Sequence, residues 1–237
     1  MKFTLKNLLL TIVCAVSPLG LAAQTSDWAS IGRYAADNAA LRARADRPEG
    51  LVVFIGNSIT DGWPGNHPDF FTDHNFLGRG ISGQTTYQFL VRFRSDVIDL
   101  APAAVVINGG INDIAENNYA YCEDLTFGNL VSMVELACAA GIKVIMTTLV
   151  PSSGCRWNPA ITDVAEKVAS LNARIRAYAE ANDVPLIDYF TPMVANDGRS
   201  LNPAYSNDGV HPTSDGYTVM ERAALPVITQ TLKNQSK

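Results

Sequence analysis

The chain has 237 residues, 18 of them basic and 23 acidic, for a net charge of −5. An acidic chain with no basic stretch argues against nucleic acid as a partner. After the N-terminal apolar run, no segment is long and apolar enough to span a bilayer.

In chain order, Lys2 and Lys6 precede an apolar run over 8–21, broken by Pro18 and Gly20, and Leu21-Ala22-Ala23 follows with small residues. This is the pattern of a signal peptide over 1–23, which implies export to the periplasm or the outside of the cell. No cysteine stands just after the small residues to carry a lipid, and Cys14 leaves with the leader. Without Lys2 and Lys6 the charge becomes −7. Residues 24–237 fit one α/β domain.

A helix is predicted over 26–45. Apolar runs at 51–55, 75–79, 103–108, 142–149 and 184–188 mostly lack alternation, as expected of strands covered on both faces. Helical patterns at 86–100, 124–140 and 162–181 separate them, with Asp124 as an N-cap and Gly141 and Asn182 as stops. A closing helix over 214–232 should be kinked or split by Pro226. Alternating strands and helices predict a parallel sheet with helices on both faces and a site at the carboxyl ends of the strands.

Three cysteines follow the leader, so at least one is unpaired. Cys138 reads as a small core residue of the helix over 124–140. Cys122 and Cys155 fall in loops expected at one sheet edge, and an exported chain permits a disulfide between them; three buried thiols are the alternative. His67 and His74 share the 63–76 loop with Asp69 and Asp73, but their spacing matches no metal-ligand pattern. They read as surface loop residues, and no metal or cofactor is expected.

Four segments carry chemistry: Gly56-Asn57-Ser58-Ile59-Thr60, Ile81-Ser82-Gly83, Gly110-Ile111-Asn112-Asp113 and Asp208-Gly209-Val210-His211-Pro212. The first three follow predicted strands one, two and three, and the fourth precedes the last helix. They supply a nucleophile (Ser58), a base (His211) and a carboxylate three residues before it (Asp208). The Ser58 and Gly83 backbone N–H groups and the Asn112 side chain are candidate oxyanion donors. Alone, each segment is also an ordinary cap or turn. Trp63, Pro64, Tyr119, Tyr121, Arg156 and Trp157 should crowd the same strand ends as substrate contacts, with aromatic faces suited to sugar rings.

These blocks resemble the SGNH (GDSL-like) hydrolase family over nearly the whole chain after the leader, including Asn-Phe-Leu-Gly-Arg-Gly-Ile-Ser-Gly-Gln-Thr-Thr at 75–86. The resemblance implies a flavodoxin-like three-layer α/β/α sandwich, with a five-stranded parallel sheet of order 2-1-3-4-5. It also implies ester hydrolysis without metal or cofactor. Asn57 departs from the family's usual aspartate. The Ile-Thr-Asp-Gly-Trp continuation is similar to the platelet-activating-factor-acetylhydrolase-like and carbohydrate-acetylesterase branches, which favour short acyl groups. The expected substrate is therefore a small ester or an acetylated glycan. A lysophospholipase or thioesterase, and a catalytically silent glycan-binding protein, are the alternatives.

Overall fold

The computed structural model describes residues 27–46 and 49–233; the expected signal peptide over 1–23 lies outside them. Strands form at the five apolar runs: β1 (Val52–Gly56), β2 (Phe76–Gly80), β3 (Ala104–Asn108), β4 (Lys143–Thr147) and β5 (Leu186–Ile187). They make one parallel sheet of order β2-β1-β3-β4-β5. Every residue of β1 and β3 is buried, so both sheet faces must be covered.

The helices are α1 (Ala35–Ala43), α2 (Ser58–Asn66), α3 (Pro68–Thr72), α4 (Thr86–Asp96), α5 (Ile111–Ile114), α6 (Glu123–Ala139), α7 (Val164–Ala181), α8 (Phe190–Met193) and α9 (Ser214–Lys233). Strand alternation assigns the two layers. Val53, Ile55, Val105 and Ile107 pack with Phe89 and Phe93 of α4, Met133 of α6 and Leu171 of α7. Val52, Phe54 and Val106 point the other way, onto Ile59 and Trp63 of α2, Phe70 of α3, and Met220 and Ile228 of α9.

The strand order positions the site. From β1 the chain winds outward to β2, then crosses back to β3 on the other side of β1. Outgoing connections diverge at this switch point and leave a crevice above the carboxyl ends of β1 and β3. Ser58 follows β1 and Asn112 follows β3 at its rim.

Several expectations need correction. The 26–45 helix is a 3-10 turn (Ile31–Tyr34) followed by α1. Helix α6 starts at Glu123 after Cys122, so Asp124 is not the N-cap; it lies in the first turn, where its charge suits the helix dipole. Pro226 does not split the closing helix: α9 runs through it as one element. Met220 and Ala224 before the proline and Ile228 after it are buried in one layer, which holds the two halves in a single helix. The 63–76 loop is largely helical, and His67 is not a loose surface residue. It joins Glu221 through Nδ1 (2.7 Å) and Ser214 through Nε2 (2.8 Å).

All three cysteines are free thiols. Cys138 is exposed, not core: the buried stripe of α6 is Leu130, Met133, Val134 and Ala137, and the next residue turns about 100° away from it. The Cys122–Cys155 disulfide is not formed. Cys155 sits in the apolar layer under α6 and α7, and burial pushes its thiol up to about 11.

At Gly80, β2 meets α2 so closely that a Cβ would lie 2.1 Å from the Asp61 nitrogen and 2.5 Å from the Thr60 carbonyl carbon. Backbone atoms cannot rotate away as a side chain would. Gly80→Ala is expected to destabilise the fold by about 1–3 kcal/mol, the usual cost of overpacking, read as a lower urea midpoint with an unchanged m-value.

Candidate functional site

Ser58 opens α2 immediately after β1. Asn57 is its N-cap, buried and neutral, and its Oδ1 accepts the Ile59 N–H at 3.0 Å. The first N–H groups of a helix have no partner within it, so the Ser58 amide is available at the positive end of the helix dipole. The Ser58 hydroxyl lies 2.7 Å from His211 Nε2, across 153 residues of sequence.

The segment 206–212 closes on itself. Asp208 Oδ1 accepts the N–H groups of Val210 (2.9 Å) and His211 (2.7 Å), and Gly209 takes a φ of +82° in the turn. The other carboxylate oxygen, Oδ2, lies 2.7 Å from His211 Nδ1. Burial alone would raise the Asp208 carboxyl. The His211 N–H, the His211 ring and the Val210 N–H outweigh burial and hold it down at about 2. The carboxylate therefore stays ionised wherever an imidazole titrates, and it can hold the ring's tautomer.

Opposite Ser58 runs Ser82-Gly83-Gln84. Gly83 has a φ of +78° and open space where a Cβ would stand, so the dihedral rather than crowding calls for glycine. Asp61, on α2, accepts the Ser82 N–H (3.1 Å) and hydroxyl (2.7 Å). Asn112 donates from Nδ2 to Gln84 O at 2.9 Å. That nitrogen carries a second N–H, and Asn112 lines the cleft.

Beneath the loop lies Arg92, fully buried. Its Nε donates to Gln84 Oε1 (2.7 Å), Nη1 to Arg79 O (2.8 Å) and Asp96 Oδ2 (2.9 Å), and Nη2 to Gly56 O (3.0 Å). Asp113, also buried, accepts the Thr86 N–H and hydroxyl and the Tyr119 hydroxyl. Burial raises the Asp113 carboxyl above its ordinary value.

The structure brings Ser58, Gly83, Asn112 and His211 together around one cleft of about 360 Å³, with Asp208 behind His211. Of the expected substrate contacts, only Trp157 lines it; the indole is 44% exposed, with its centroid 6.1 Å from the His211 ring. Trp63 is 1% exposed, stacked between Phe70 and Tyr217, with its indole N–H on Glu221. It lies four residues after Ile59, on the same buried side of α2. Pro64 turns toward β2, where a Cβ on Gly78 would lie 2.6 Å from its ring. Tyr119 is held by Asp113. The Tyr121 ring packs against the core beneath Lys167. Arg156 borders a neighbouring hollow behind Asp208.

Sequence reasoning missed Ser82 and Asn117 as cleft residues. Ser82 was legible as the neighbour of Gly83; Asn117 carries no motif. His67 and His74 line a separate hollow of about 510 Å³ between α3 and α9. Among the described residues no group of three or more His, Cys, Asp or Glu side chains is placed to hold a metal ion. No described helix is long and apolar enough to cross a membrane.

The profile of the GDSL-like lipase/acylhydrolase family matches residues 54–219. The chain belongs to this family, and its membership supports an ester hydrolase. A solved structure from Bacteroides fragilis NCTC 9343, provisionally assigned as an acylhydrolase, is 58% identical with a TM-score of 0.85, over 87% of this chain and 99% of that one. The uncharacterised lipoprotein YqeF of Bacillus subtilis (strain 168) is 27% identical over 64% of this chain and 70% of its own length. The acetylxylan esterase Axe2 of Geobacillus stearothermophilus shares the fold at 22% identity, with a TM-score of 0.60 over 76% of this chain and 94% of that one.

Replacing Arg92 with methionine leaves Asp96 buried without its cation. Breaking a buried pair in this way costs about 3–5 kcal/mol. Arg92→Met is expected to lower the urea midpoint accordingly, and adding Asp96→Leu should recover part of the loss.

Proposed function

We propose that this chain is an exported serine esterase that removes short acyl groups, above all acetyl, from carbohydrate hydroxyls. The observation that carries this reading is the 2.7 Å approach of Ser58 Oγ to His211 Nε2, with His211 Nδ1 on Asp208 at 2.7 Å. Ser58 attacks the ester carbonyl as His211 takes its proton. The oxyanion meets the Ser58 N–H, the Gly83 N–H and Asn112. His211 returns the proton to the leaving alcohol, then takes one from a water that attacks the acyl-serine; as that second tetrahedral intermediate collapses, His211 gives the proton to the departing Ser58 Oγ and the acid is released. Apart from the ester and one water, the groups in these steps come from the chain, so the mechanism calls for no cofactor.

Short acyl groups suit a cleft of about 360 Å³ lined by Ser82, Asn112, Asn117 and one indole. Trp157 offers a flat exposed face to a sugar ring. The activity of Axe2 on acetylated xylan gives a precedent on this fold for the proposed substrate class. Export rests on the signal-peptide pattern of residues 1–23.

Acetate release from acetylated polysaccharides, beside p-nitrophenyl esters from acetyl to palmitoyl, tests the reading. Acetyl esters should turn over fastest, and Ser58→Ala should lose at least about 10³-fold in kcat and all labelling by a fluorophosphonate. A maximum at long chains would favour a lipid esterase. Wild-type protein without turnover or labelling would favour glycan binding alone.

Acid conditions should lower kcat/KM, because only a neutral His211 ring accepts the Ser58 proton. Asp208, held down at about 2, adds no second inflection in the working range. The same depressed carboxyl should stabilise the fold fully above the ordinary carboxylate range and lose that contribution as pH falls toward about 2. Rate profiles and denaturation midpoints against pH check both; a flat rate profile would count against His211 as base.

A further inference from the structure

Asn117 belongs to none of the four motifs, yet it touches three parts of the site. Its Nδ2 donates to Gly83 O at 2.9 Å, its Oδ1 accepts the Trp157 indole N–H at 2.7 Å, and its backbone N–H donates to Asn112 O at 3.1 Å. A primary amide is suited to this place because one planar group offers a donor and an acceptor on opposite sides.

The Gly83 bond is the consequential one. Gly83 adopts a φ of +78° and, lacking a side chain, can swing its flanking peptides at little cost. An oxyanion donor that swings loses its preorganisation. Asp61 grips Ser82 before the glycine and Asn117 grips the Gly83 carbonyl after it, so the glycine is clamped from both flanks. The Trp157 bond extends the clamp outward. The exposed indole stands beside His211, where the leaving alcohol departs, and its edge is anchored to the residue that holds the oxyanion donor.

We propose that Asn117 is a positioning and specificity-determining residue: it holds the Gly83 N–H on the developing oxyanion and aims the Trp157 ring at the sugar of the leaving group. This rests on the esterase reading above. Contact of a sugar with the ring is thereby coupled to the geometry of the oxyanion hole, and acetylated sugars gain over small esters that do not reach Trp157.

The test compares wild type, Asn117→Asp, Asn117→Ala and Trp157→Phe on p-nitrophenyl acetate and an acetylated xylo-oligosaccharide. Inhibition by propylboronic acid, which forms a tetrahedral adduct on the serine, is measured alongside. Asn117→Asp keeps the Trp157 bond but sets a carboxylate oxygen against Gly83 O. It should lose about 10–100-fold in kcat on both esters, the scale of a small misplacement at a reacting centre. Its KM should stay nearly constant, and its boronate affinity should fall in parallel. Asn117→Ala, which adds no charge, carries the same comparison if the aspartate variant does not fold. Trp157→Phe keeps a ring without the N–H and should raise KM for the oligosaccharide more than for the aryl ester.

Wild-type turnover with Asn117 variants of unaltered kcat overturns this inference alone. So does a kcat loss with boronate affinity unchanged, since the defect would then lie away from the oxyanion hole. A wild-type protein inactive on both esters overturns the esterase reading and this inference with it.

Discussion

One buried guanidinium ties together the three backbone segments on which the site is built. Arg92 donates to Gly56 O, two residues before Ser58, to Arg79 O at the end of β2, and to the Gln84 side chain in the loop that carries Gly83. Asp96 compensates its charge. A charge this deep is tolerated only when paired and saturated with hydrogen bonds. Only the rigid, forked array of donors in arginine reaches so many acceptors at once. The relative placement of Ser58 and the loop that carries Gly83 is therefore set by a residue that does not line the cleft.

Around that stitch the site is held by short polar contacts, each placed where loop backbone would otherwise be free. Ser82 is held from α2 by Asp61, Gly83 by Asn117, and Gln84 by Asn112 and Arg92. Asp113 plays the matching part beneath them, fastening the start of α4 to the block that carries Asn112. The two carboxylates differ because their surroundings differ. Asp208 is half-exposed and crossed by N–H donors, which favour its charge; Asp113 is sealed from water, which opposes it. The neutral Asn57 keeps a capping contact beside Ser58 without adding a negative charge there.

The architecture was legible because its signals are local. Apolar runs without alternation marked the strands within one or two residues, and Gly141 and Asn182 marked helix ends. The four motifs were legible because their residue types repeat across a family. What was not legible depends on which way a side chain turns or on distant partners. Trp63 follows Ile59 into the core, while Ser58, five residues before Trp63, faces the cleft; loop composition alone could not decide that. Cys138 lies one step beyond the buried stripe of α6. Pro226 would break an isolated helix, but packing on both sides of it prevails. Arg92 and Asn117 look like ordinary polar residues, and their partners lie up to 36 and 40 residues away.

On the proposed mechanism, one point in space receives the Ser58 oxygen, the His211 ring and three N–H donors. A crystal structure of the chain after reaction with a small methylphosphonate tests it most directly. A covalent bond at Ser58 Oγ is expected, with one phosphonyl oxygen about 2.7–3.1 Å from Ser58 N, Gly83 N and Asn112 Nδ2. An adduct on another residue, or a Ser58 adduct whose oxygens face solvent away from Gly83 and Asn112, would contradict it.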